Sequence, residues 1–232
     1  MKPFLYSLCF VLCLSPLLWA RPVTLNNDRP AAPGSTGGSG VSMPKQCQTG
    51  KTSPEGMSWR LSANKPVRVY YLKDNFKGAE AEALMRGVNN WNRALIEIDS
   101  PVTFINSGER ESVVRDELTI TVTRGVPKSK ERVGEIKFYT KPNGSVRMTV
   151  IISPTVTDLN ALTSLMTHEL GHAVGLADCY ECKRGTTAMS AFKGKNKGND
   201  VYEPSACDKY VVANGYASAG KGQTLTASLE QK

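Results

Sequence analysis

Histidine is almost missing from this sequence. Only two residues in 232 carry an imidazole, so a site needing three histidines from one chain is excluded. Past the N-terminus no apolar run is long enough to span a bilayer. Aromatic residues amount to 7%, and neither an arginine-rich helix nor an aromatic platform motif occurs. Lys and Arg number 29 against 21 Asp and Glu, a net charge of +8. These charges are scattered; they attract anionic surfaces weakly and predict no nucleic-acid partner. Hydrophobic residues reach 40%, too many for wholesale disorder. No internal repeat is visible, and the length suits one domain with tails.

Residues 1–20 read as a secretory signal. Lys2 supplies the positive start, Leu5 to Leu18 a largely apolar core, and Ala20 a cleavage position. Its removal leaves no stable membrane insertion, and the mature chain is expected to be secreted, extracellular or periplasmic. Export changes how cysteine is read. Six occur, two leave with the signal, and Cys47, Cys179, Cys182 and Cys207 remain. An even number in an oxidising compartment predicts two disulfides rather than a four-cysteine zinc site. Three pairings are open.

Residues 21–55 are poor in large apolar residues and read as a linker or propeptide-like segment, flexible from Pro30 to Gly40. Residues 217–232 read as a disordered tail. Between them, residues 56–216 form one domain. Val67, Val69 and Tyr71 alternate with Arg68 and Tyr70, as in a half-buried strand. Ala81, Leu84, Val88, Trp91 and Leu95 recur at helical spacing and mark a core-facing stripe. Val102–Ile105, Leu118–Val122, Gly134–Thr140 and Val146–Ile152 follow as strands. The last two flank the Pro142-Asn143-Gly144 turn and predict an antiparallel hairpin, with Val146–Ile152 central. Asp158 or Thr157 caps a second helix running to about Val174, with Gly175 at its C-terminal turn. Ser205 starts a third, short helix ending near Asn214.

The second helix contains His168-Glu169-Leu170-Gly171-His172. Four residues make about 400° of turn, so both imidazoles share one face and can grip one zinc ion. Glu169, about 100° round from His168, can reach a metal-bound water without ligating, as general base. Chance supplies H-E-x-x-H in roughly 1% of chains this size or fewer, and both histidines of this chain are spent here. Gly175 permits the backbone to turn back. Asp178 then either supplies a third, oxygen ligand or bonds to loop backbone, with Glu181 and Glu203 as rival ligands.

The extended pattern from His168 to Asp178 resembles the metzincin metalloproteases, whose motif is H-E-x-x-H-x-x-G-x-x-H followed by a Met-turn. Asp178 stands where most members have the third histidine, and this variant looks like the snapalysin-type small secreted proteases of bacteria. The resemblance covers about residues 66 to 216. It implies an α+β fold with a mixed twisted sheet of about five strands, a long N-terminal helix, a zinc-binding helix and a short C-terminal helix. It implies Zn2+ on His168, His172 and Asp178, with Glu169 catalytic. Thr187-Ala188-Met189-Ser190 matches the Met-turn, with Met189 an apolar floor beneath the metal and Gly175 shaping the turn. Gly134–Thr140 matches the edge strand that pairs with extended substrate. The function implied is that of a secreted zinc endopeptidase acting on protein or peptide, as a monomer. The alternatives are a non-catalytic zinc-stabilised binding module and a zinc hydrolase of non-protein amides.

Two positions depart from the family pattern. Ala191 stands where some metzincins place a tyrosine near the metal. Cys47, after Pro44-Lys45-Gln46, only loosely matches a propeptide cysteine that blocks zinc, and a disulfide is expected for it instead. A Cys182–Cys207 bridge is expected to tie the post-zinc loop to the last helix.

Overall fold

The computed structural model describes residues 42–61, 66–129, 131–141, 145–191 and 199–217. The signal segment, the Pro30–Gly40 run, the Pro142-Asn143-Gly144 turn and the tail beyond Ala217 lie outside them. The elements run β1 (Val67–Leu72), α1 (Ala79–Glu97), β2 (Phe104–Arg110), β3 (Thr119–Arg124), β4 (Gly134–Thr140), β5 (Val146–Ile152), α2 (Leu159–Ala173) and α3 (Ala206–Ala217). The class is α+β: one mixed five-stranded sheet, ordered β2-β1-β3-β5-β4, and three helices. β1 pairs parallel with β2 and β3, and β3 parallel with β5. β4 runs antiparallel to β5 at the edge, so the expected hairpin is present and β5 is interior.

Register explains the core. Val69 lies opposite Ile120, Ile120 opposite Met148, and Met148 opposite Phe138, forming one apolar row across four strands. Side chains two apart share a face, so Val122, Val150 and Ile136 make the next row. α1 lays Leu84, Val88, Trp91 and Leu95 into this core, each wholly buried. α2 is buried nearly all round from Ala161 to Ala173, which marks it as a central helix rather than an amphipathic surface one. Trp91 fastens the two helices: its Nε1 donates to the Thr167 carbonyl at 2.6 Å. The α2 N-cap is Asp158, which accepts from Ala161 N at 2.7 Å. Among the described residues no helix is long and apolar enough to cross a membrane.

One burial and two boundaries differ from the patterning. Tyr70 is buried although alternation puts it outside. The register irregularity opposite Val69 and Tyr71 adds its residue to β2 and leaves the β1 alternation intact; Tyr70 is covered on its own face, with the Arg110 guanidinium over its ring at 4.8 Å. β2 begins at Phe104 and continues to Arg110 through polar, largely exposed residues. As an edge strand it needs no buried face there, so the pattern carries no signal. β3 begins after Leu118, whose φ of +52° is not extended.

The expected Cys182–Cys207 bridge is not formed. Cys47 pairs with Cys207, and Cys179 with Cys182. Residues 42–55 cause this difference. They lie against both the post-motif loop and the start of α3, so Cys207 meets Cys47 first. Both sulfurs of the short bridge sit 3.7 Å from the Ser53 carbonyl oxygen. Cys47 is thereby committed to a disulfide and offers no free thiolate. The bridge spans 160 residues of chain, which in the chain-entropy view is worth about 5 kcal/mol. That equals burying two or three large apolar side chains. Residues 42–61 bury Met57 and Leu61 among their large aliphatic residues, so the covalent tie contributes about as much to their attachment as that burial does.

Tyr216 of α3 clamps the same region. Its hydroxyl accepts from Leu61 N and donates to the Val174 carbonyl, both at 3.2 Å. Burial pushes its pKa up to about 12. A folded value above the unfolded one, about 10, means that the stabilisation is full below pH 10 and is lost as pH rises towards 12. Each tenfold is worth about 1.4 kcal/mol. Between pH 9 and 11.5 wild type should therefore lose roughly 2 kcal/mol more than Tyr216→Phe, measured by urea unfolding. A parallel decline of the two proteins would refute this.

Candidate metal centre

α2 ends in a backbone motif that builds the site. Leu176 N donates to the Gly171 carbonyl and Gly175 N to the His172 carbonyl, each at 2.9 Å. This is the double bond of a Schellman turn. It requires a left-handed residue, and Gly175 has φ +107°. A side chain there is also barred by sterics, since an ideal Cβ would lie 2.1 Å from the Trp59 carbonyl oxygen. The chain reverses and brings Asp178 back over the helix. One carboxylate oxygen, Oδ1, then lies 3.2 Å from His168 Nε2 and 3.4 Å from His172 Nε2. One ligand atom from each of the three residues lies within 4.8 Å of the others, and the group could hold a metal ion.

The two rings are aimed by backbone carbonyls. His168 Nδ1 meets the Ala188 oxygen and His172 Nδ1 the Leu176 oxygen, both at 2.8 Å. A carbonyl only accepts, so each Nδ1 carries the ring proton and each Nε2 turns a lone pair towards Asp178. Two lone pairs and a carboxylate oxygen aimed at one point require a cation among them, a proton or a metal ion. The donor set of two imidazole nitrogens and one carboxylate oxygen fits a tetrahedral metal with one position left over. Burial alone would raise the Asp178 pKa, but the two histidines hold it well below the usual carboxylate range. For His172 burial opposes the charge, yet Asp178 and Glu169 push its proton affinity up.

Glu169 is on the same helix turn but outside the ligating group. It is 3% exposed, and burial raises its pKa despite the adjacent histidines. Its carboxylate rests against the first residue of β4: a Cβ on Gly134 would lie 2.6 Å from Glu169 Oε1 and 2.7 Å from Leu165 Cδ1. Met189 packs beneath the same turn, and a Cβ on Gly171 would meet its sulfur at 2.2 Å. The post-motif loop is zipped to this Met189 segment, with Cys179 N donating to the Met189 carbonyl at 2.7 Å and Ala191 N to the Cys179 carbonyl at 3.1 Å.

The rival ligands lie elsewhere. Glu203 pairs with Arg93 at 2.7 Å on the surface, and Glu181 is exposed; neither joins the group. Sequence reasoning missed three residues. Tyr180, 62% exposed, donates from its hydroxyl to Asp178 Oδ2 at 3.3 Å. Asp208 of α3 is fully buried and accepts from Thr187 Oγ1, Ala188 N, Ser205 N and Ser205 Oγ. Burial raises its pKa against those donors. Asn199 is 2% exposed between α2 and the Met189 segment. Only Tyr180 had a local signal, its position two residues from Asp178.

Compared with known proteins, the chain matches no family model and no curated protein.

Proposed function

We propose that this chain is an exported zinc-dependent endopeptidase of metzincin type, with His168, His172 and Asp178 holding zinc and Glu169 as general base. One observation carries the reading: three donors converge, while a buried carboxylate stands beside them on the same helix without joining them. A structural zinc site closes all four positions and has no use for such a group. Zinc held there would supply Lewis acidity, activating water and polarising a substrate carbonyl. Glu169 takes the proton of the attacking water on its carboxylate and passes it to the leaving amine nitrogen. The Ala188 and Leu176 carbonyls keep both imidazoles in the ligating tautomer.

β4 is one edge of the sheet, and its first residue, Gly134, lies against Glu169. An extended peptide added to it would gain main-chain hydrogen bonds with little sequence preference and pass the site. With alanine at 191, the hydroxyl beside the site is that of Tyr180, which donates to Asp178 Oδ2 and would have to turn from it to reach a developing oxyanion. Export is part of the proposal: the leader and two disulfides suit an oxidising compartment.

The test is casein digestion by the zinc-loaded chain, with and without a chelator, beside its metal content. Cleavage that stops with the chelator and returns with zinc supports the reading. One bound zinc with no cleavage of casein favours the binding module or the non-protein amidase. Gly134→Ala adds a second check. The new methyl displaces the Glu169 carboxylate but touches no ligand, so kcat should fall about 10- to 100-fold, part of what a general base contributes. Zinc affinity by competition should change less than twofold. Equal losses of affinity and rate would contradict that division of roles.

A further inference from the structure

Asn199 makes more buried hydrogen bonds than a loop residue needs. Its Oδ1 accepts from Ser164 Oγ at 2.6 Å and from Val201 N at 3.0 Å. Its Nδ2 donates to the Ala188 carbonyl at 2.7 Å and the Thr187 carbonyl at 3.2 Å. Two carbonyls face one end of the amide, an N–H and a hydroxyl the other, so its orientation is set by its surroundings. Ser164 is wholly buried on α2, one turn before His168. Ala188 is the residue whose oxygen receives His168 Nδ1. That oxygen has two lone pairs, one taken by the ring and one by Asn199.

The same amide therefore ties the helix to the carbonyl that aims the helix's own ligand. The equivalent carbonyl for His172, at Leu176, needs no such clasp. It belongs to the Schellman turn and is placed by the helix end itself. Ala188 lies on a separate segment, twenty residues on from His168, and something must hold that segment in register with α2. Asp208 fixes it from the other side through Ala188 N at 2.9 Å. That bond acts on the preceding peptide; the peptide that carries the Ala188 carbonyl is held by Met189 N on Thr187 Oγ1 at 3.1 Å and by the carbonyl's two partners, His168 and Asn199.

We infer that Asn199 is a positioning residue for the metal centre, holding the Ala188 carbonyl on His168 Nδ1 and so fixing the tautomer and aim of that ring. This rests on the reading of His168 as a ligand. Loss of a partner that orients a ligating histidine costs about 10- to 100-fold in metal affinity. The test uses the full chain, with zinc affinity measured by chelator competition. Imidazole NMR of 15N-histidine-labelled, metal-free protein is recorded beside it. With two histidines in the chain, both rings are separately visible and His172 is the internal control. Asn199→Ala is expected to weaken zinc binding about 10- to 100-fold and to shift the His168 resonances while those of His172 stay in place. Affinity within twofold of wild type with unmoved His168 resonances overturns the inference. So does an equal shift of both rings, which is general loosening. Should Asn199→Ala fail to fold, Ser164→Ala frees the amide from α2 and is judged by the same ring criteria. A wild-type chain that binds no zinc sinks the proposed function instead, while the metal-free spectra still decide this inference.

Discussion

Replacing Glu169 by glutamine is expected to lower peptide hydrolysis about 10³-fold while zinc stays bound, in line with what a general base contributes. The side chain is buried and nearly isosteric with its replacement, so packing against Gly134 and Leu165 survives. What is lost is the ability to accept a proton. The three ligands are untouched, because Glu169 is not among the converging atoms. Kinetics on a chromogenic peptide, beside metal analysis of the same sample, separate the outcomes. A variant that cleaves as fast as wild type would remove Glu169 from the chemistry. A variant that loses zinc would make it a ligand.

Asp178→Ala should lower zinc affinity by at least roughly 10³-fold, since even an outer partner of a ligating group is worth 10- to 100-fold. The carboxylate oxygen is the only charged donor in the group, and it balances both imidazoles. The loop would keep its course without it. Cys179 remains held by the Met189 carbonyl and by the bridge to Cys182, so the loop stays attached, but the metal-free variant should unfold at a lower temperature than wild type because the two imidazoles lose their carboxylate partner. Chelator competition measures the affinity. An unchanged value would mean that the third donor is another group, and the reading of the motif's last position would fall with it.

How much of this was legible beforehand follows from the range of each interaction. His168, Glu169 and His172 lie within one helical turn, where 100° per residue determines who shares a face. Gly175 was legible as a turn, because positive φ is a local demand. The hairpin of β4 and β5 was legible from the Pro142-Asn143-Gly144 turn signal between two strand patterns. The direction of Asp178 was not, since the loop that carries it is held by backbone bonds between Cys179 and the Met189 segment. Polar edge residues hid the length of β2, and the burial of Tyr70 comes from Arg110 of the neighbouring strand lying over its ring.

By itself, then, the amino-acid order determined the elements, their succession, and two imidazoles with a carboxylate on one helix. These rest on backbone periodicity and on the apolar pattern that periodicity imposes. Tertiary structure alone decided that Cys47 meets Cys207, that Asp208 and Asn199 grip the segment behind His168, and that Gly134 leaves room for Glu169. Those contacts join residues between 11 and 160 apart, with the carbonyls and carboxylates of distant segments satisfied only by burial against one another. No repeat in the chain encodes such meetings, because they are set by which surfaces the packed sheet and helices leave facing each other.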